Sequence, residues 1–140
     1  MVAINIKYQG DMHCQAVHGP SGTTLETDAP ADNHGKAESF SPTDLVATAL
    51  GTCILTVMGI KAQSMNVDIT GSTASVEKEM ATGPRKIGKL QVTVRVPHKL
   101  PDHQIQQLER AAFTCPVHKS MSPQVEMPID FVWGMAMSDL

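Results

Sequence analysis

Ser41-Pro42-Thr43-Asp44-Leu45-Val46-Ala47-Thr48-Ala49-Leu50-Gly51-Thr52-Cys53-Ile54-Leu55-Thr56-Val57-Met58-Gly59-Ile60 decides how this chain folds. Serine is a good N-cap, proline suits the first helical position, and Asp44 falls at the third, where a capping box places its acid. From Leu45 onward the stretch is almost entirely apolar, so the pattern predicts a helix over 41–62 that is buried on all sides. The small residues Ala47, Ala49, Gly51 and Gly59 would let a neighbour approach closely. About 20 residues span about 30 Å, long for a chain of 140 residues. One copy would struggle to cover such a helix, and an obligate oligomer is expected.

The flanking segments alternate in the strand period. Residues 2–9 read as a strand, Gly10-Asp11 as a turn, and Met12 to His18 as the returning strand. Gly19-Pro20-Ser21-Gly22 is a second turn, and Thr23 to Thr27 a third strand. Asp28 to Ser39 is a polar loop. Beyond the helix, Val67 to Met80 and Lys86 to Val96 alternate around the turn Ala81-Thr82-Gly83-Pro84. Pro101-Asp102 opens a second helix with Ile105, Leu108, Ala111 and Ala112 at helical spacing. A short third helix starts at Cys115, and Val125 to Trp133 is a last strand. The order βββ-α-ββ-α-β suggests an α+β fold in a single domain, 1–140.

Composition excludes several classes. The chain is 41% hydrophobic and 18% charged, which suits a folded domain and not a disordered one. A net charge of −3 gives no reason to expect nucleic acid. No unbroken apolar run reaches the roughly 18 residues of a membrane span, so no membrane partner is expected. Met1 is followed by a strand-like alternation and not by a signal peptide, and the chain reads as cytoplasmic. Nine methionines against 4% aromatics predict an aliphatic, thioether-rich core. Three cysteines, Cys14, Cys53 and Cys115, do not make a disulfide scaffold.

Two of those cysteines carry the chemistry. Cys53 sits mid-helix, where a buried, inert thiol is the ordinary reading. Cys115 lies at a helix start, before a proline and three residues from His118. A helix N-terminus and a nearby imidazole both favour thiolate, so local sequence makes Cys115 the more reactive thiol. His13-Cys14 and Cys115-x-x-His118 also supply two His/Cys pairs, a conceivable zinc set. Against it, adjacent residues of a strand point to opposite faces. The remaining histidines, His18, His34, His98 and His103, read as surface residues. Trp133 is expected in or against the last strand.

Ser-Pro-Thr-Asp-Leu, an Ala/Gly-rich helix carrying Cys53, and Cys-Pro-Val-His-Lys-Ser-Met from Cys115 together resemble the OsmC/Ohr family. The Asp28-Ala-Pro loop and Gly83-Pro84-Arg85-Lys86-Ile87-Gly88-Lys89 are similar to its OsmC-like branch. The resemblance implies an intertwined homodimer in which two long central helices are wrapped by antiparallel sheets. It also implies thiol-dependent reduction of organic hydroperoxides, without a cofactor. Cys53 falls at the peroxidatic position and Cys115 at the resolving one. A dithiol, typically lipoyl, would restore the pair. Two positions depart from the family pattern. Its strand arginine aligns with His13, and its glutamate with Thr43, the acid coming one residue later as Asp44. A neutral histidine activates a thiolate less than a permanent cation, and Arg85 is a candidate substitute. Helix capping is the simpler role for Asp44, and solvation in a turn for Arg85. Asp44 lies nine residues from Cys53, about 13 Å along a helix, so it would serve that thiol only across a dimer. His118 is an auxiliary candidate. The alternative on the same fold is a non-catalytic small-molecule binder.

Overall fold

The computed structural model describes residues 1–134. It divides into two compact units, Met1–Val46 and Ala47–Leu140.

The first unit is an antiparallel meander of β1 (Ile4–Gly10), β2 (His13–His18) and β3 (Thr24–Asp28). The Gly10-Asp11 turn forms with positive φ at Gly10, Asp11 and Met12, and Gly10 adopts its φ of 90° without a Cβ penalty. Register assigns the faces. Ile6, Ala16 and Leu25 stand in one cross-strand row, with Tyr8, Cys14 and Thr27 beside them. Both faces of β1 are open to solvent, so its alternation is real while its apolar row lies uncovered, Ile6 at 64% exposure. The polar loop contains a single 3-10 turn, Ala31–Asn33.

Helix α1 (Pro42–Ser64) starts at the expected cap and runs two residues beyond the expected end. The second unit continues with β4 (Thr73–Ala81), β5 (Lys86–Val96), α2 (Asp102–Ala112), the five-residue α3 (Pro116–Ser120) and β6 (Ile129–Trp133). The core closes where one stripe of α1, Leu50, Ile54 and Met58, meets Leu90, Val92, Val94 and Val96 of β5; all seven are 0% exposed. Gly51 permits the approach: a Cβ there would lie 3.0 Å from Val76 Cγ2.

Five expectations are corrected. The helix is not buried on all sides, because a single sheet covers a single stripe; Ile60 on another side is 63% exposed. The second sheet is mixed rather than antiparallel: β6 pairs parallel to β5. The physical reason is the connection, since α2 and α3 return the chain to its starting end and a parallel neighbour needs such a crossover. The segment 67–72 is not strand, because local bonds divert its backbone. Val67 N–H donates to the Ala62 carbonyl, and Asp68 Oδ1 accepts from Thr70 N–H at 2.8 Å. Likewise 125–128 precedes β6 as a looser segment; Pro128 has no N–H, though its carbonyl accepts from Val92. Finally, interspersed threonines and glycines do not lower the average enough to disqualify α1 as a span by composition. An 18-residue window reaches a mean hydropathy of 1.8, with a third of it buried inside the fold. A soluble protein's core helix can be equally apolar.

Candidate active site

Cys53 is half-buried on α1, and Cys115 is fully buried as the N-cap of α3. The tertiary fold brings them together: the Cys115 thiol hydrogen-bonds the Cys53 sulfur, and neither is in a disulfide. Cys115 Sγ also accepts the His118 backbone N–H at 3.4 Å.

Local sequence assigns Cys115 the more acidic thiol, and the structure reverses that reading. Its pKa is pushed above the usual thiol value, first by burial and then by the bond to Cys53. The His118 and Val117 backbone N–H groups pull the other way and do not prevail. Burial disfavours a bare thiolate more than one short helical turn stabilises it. The His118 ring is not spent on the sulfur as expected; it meets Phe113 edge-on, centroids 6.0 Å apart. Cys115 therefore holds its proton and presents it to Cys53.

His13, on β2, has carboxylates at both ring nitrogens. Nδ1 lies 2.6 Å from Asp28 Oδ1, and Nε2 lies 3.4 Å from Glu26 Oε1. Two acceptors require two protons on the ring, and the pKa is raised above 6.5, chiefly by the Asp28 bond and then by the Glu26 bond. In place of the neutral histidine assumed from sequence, the structure shows one whose charged form is favoured by two carboxylates. The sequence reading marks Asp28 only as part of the Asp28-Ala-Pro loop and Glu26 not at all. The signal was present: a hairpin centred on Pro20-Ser21 sets His13 opposite Asp28 and Gln15 opposite Glu26.

Asp44 closes a reciprocal capping box. Ser41 N–H donates to Asp44 Oδ2 at 2.9 Å, and Asp44 N–H donates to Ser41 Oγ at 3.0 Å. Arg85 stands in the exposed turn between β4 and β5. The zinc set is not assembled. His13 pairs with Asp28 on the face opposite to Cys14, and among the described residues no group of three or more His, Cys, Asp or Glu could hold a metal. Trp133 lies in β6, as expected, stacked on Phe131 with Nε1 donating to Glu109 at 2.9 Å.

No curated protein matches the sequence. Among solved structures, a protein of Psychrobacter arcticus named for an osmotic stress induced and detoxification response is 42% identical, with 94% of this chain and 96% of that one covered and a TM-score of 0.89. The fold is shared at much lower identity. An organic hydroperoxide resistance protein OsmC of Legionella pneumophila is 11% identical, covering 94% and 96%, with a TM-score of 0.77. The organic hydroperoxide resistance protein OhrB of Bacillus subtilis is 17% identical, covering 94% and 97%, with a TM-score of 0.70. The family model described as OsmC-like protein matches residues 34–130. With the paired thiols on α1 and at the start of α3, the chain belongs to the OsmC-like protein family.

Proposed function

We propose that this chain reduces organic hydroperoxides through Cys53 and Cys115, as a homodimer in the cytoplasm. The observation that carries the reading is the contact between the Cys53 side chain on α1 and the buried Cys115 side chain at the start of α3. In the first step the Cys53 thiolate attacks the distal peroxide oxygen. The O–O bond breaks, the alkoxide takes a proton and leaves as the alcohol, and Cys53 becomes a sulfenic acid. Cys115 then gives up its proton and attacks the Cys53 sulfur; water leaves and a disulfide forms. An external dithiol, of lipoyl type, returns two electrons and two protons. Attack by Cys115 is slow while its thiol is protonated, so resolution should quicken as pH rises.

His13 stands where the resemblance places an arginine, and Asp28 and Glu26 raise its pKa above 6.5, which favours its charged form. Asp44 acts in capping and Arg85 as a turn cation, with His118 serving through its backbone. The dimer is supported by apolar residues that one copy leaves open, Ile4, Ile6 and Tyr8 on β1, Leu25 on β3 and Ile60 on α1.

The test is a thiol count during titration with cumene hydroperoxide. Two thiols should disappear per equivalent, Cys14 remaining free. Cys115→Ser should react once and leave a dimedone-trappable sulfenic acid at Cys53, and Cys53→Ser should consume no peroxide at a comparable rate. Reaction of Cys53→Ser with silence of Cys115→Ser reverses the roles. A groove along α1 and α2 favours a second reading, a binder without turnover, which would lose no thiols.

A further inference from the structure

Helix α3 carries Cys115 and has little of its own to hold it. Its five residues make little more than one turn, too short to persist without tertiary support. Its cap is a thiol, a weak acceptor. Pro116, Lys119 and Ser120 are exposed, and only Val117 and His118 are half-buried. The bonds it makes are internal: Lys119 N–H donates to the Cys115 carbonyl at 3.1 Å, and Ser120 Oγ donates to the Pro116 carbonyl at 2.8 Å. Among the described residues, no hydrogen bond or ion pair ties Pro116–Ser120 to another element.

What reaches out from α3 is a ring. The chain has one tryptophan, one tyrosine and three phenylalanines, and Phe113, Phe131 and Trp133 stand in one row that ends on His118. His118 meets Phe113 edge-on, centroids 6.0 Å apart and planes at 83°. Phe113 meets Phe131 at 6.5 Å and 65°, and Phe131 stacks on Trp133 at 6.2 Å and 18°. At such separations aromatic pairs attract beyond what burial of their area supplies. Trp133 Nε1 donates to Glu109 on α2 at 2.9 Å, which anchors the far end of the row. The near end is anchored too. Phe113 is the C-cap of α2, its N–H donating to the Arg110 carbonyl at 3.2 Å, and only Thr114 separates it from Cys115. Phe113 is 47% exposed, so sealing a core does not account for an aromatic ring at this position.

We infer that Phe113 and His118 are positioning residues: their ring contact holds α3 against the end of α2, keeps Cys115 on Cys53, and sets how readily the two thiols close to a disulfide. Without the contact, α3 populates open arrangements in which Cys115 is off Cys53, and closure falls with the fraction still in contact. The use of that closure against a sulfenic acid rests on the peroxidase reading; the closure itself does not.

The test uses an oxidant outside that reading, in a Cys14→Ser chain so that only the pair reports. Diamide takes two electrons and two protons from Cys53 and Cys115, becoming a hydrazine and leaving their disulfide. Dithiothreitol returns them as its own two thiols close to a cyclic disulfide, and the balance gives an equilibrium constant. Phe113→Leu and His118→Leu keep an apolar side chain and lose the ring. Each should shift the constant toward the protein thiols by about two- to tenfold, which raises the reduction potential of the pair by up to about 30 mV. The double leucine variant should be no worse than Phe113→Leu alone, because one contact is lost in both. Phe113→Tyr and His118→Phe keep a ring and should stay near the wild type. Met58→Ala, which opens the sealed core, should lower the urea midpoint more than either leucine and leave the constant unchanged. With cumene hydroperoxide, the leucine variants should form the Cys53 sulfenic acid at the wild-type rate but lose its oxygen as water to Cys115 more slowly, so that dimedone traps more of it. Leucine variants with the wild-type constant, ring-bearing variants as impaired as the leucines, or an equal shift in Met58→Ala would overturn the inference. Shifted constants without peroxide consumption uphold the ring contact and remove the peroxidase reading; peroxide consumption with unshifted constants does the reverse.

Discussion

The two sheets have three strands each and opposite fates. In β4–β6, one face of β5 is sealed by α1, and Leu90, Val92, Val94 and Val96 lose all contact with water. In β1–β3, alternation is as regular, yet Ile4, Ile6, Tyr8 and Leu25 stay open. Alternation specifies which side chains share a face, not whether anything covers that face. Burial of an aliphatic side chain yields about 1.5–3 kcal/mol, so the second sheet carries the stability of a single chain. On our reading the first is covered by a second copy.

Ile54→Ala should show the largest effect on the comparison. It opens a cavity between α1 and the second sheet and should cost about 2–5 kcal/mol in urea unfolding. A cost under about 1 kcal/mol would mean that this core is not the stabilising one. Ile6→Ala sharpens the contrast. Covered by a second copy, Ile6 should cost about 1–3 kcal/mol, with a protein-concentration-dependent midpoint. Open to water it should cost less than about 0.5 kcal/mol. Sedimentation of Ile6→Asp reads the same point directly, and a monomer is expected.

Ser41→Ala comes next. It removes the oxygen that accepts the Asp44 N–H and should cost about 1 kcal/mol at neutral pH. The smallest effect is at His13 and concerns pH. Its pKa is raised in the folded chain, so its contribution is complete below 6.5 and is lost as pH rises through the higher folded value. Wild-type stability should therefore decline over that interval, and His13→Gln should flatten the slope there. An unchanged slope would detach His13 from Asp28 and Glu26.

The strands of the first unit, the capping box at Ser41 and Asp44, the hairpin of β4 and β5 and the start of α2 at Asp102 are all legible in the sequence. Each depends on neighbours a few residues apart, through alternation, a cap or a turn. The two reactive-cysteine candidates are legible as well, through the motifs around them. Tertiary structure alone decided the rest. β6 runs parallel because of what lies between it and β5. One stripe of α1 is buried because one sheet reaches it. Cys115 keeps its proton because the fold buries it against Cys53, and burial outweighs the helix start and His118 that local sequence favours. The charged form of His13 is favoured because strand register sets carboxylates at both of its nitrogens. Desolvation and long-range pairing depend on residues distant in sequence, and no local pattern encodes them.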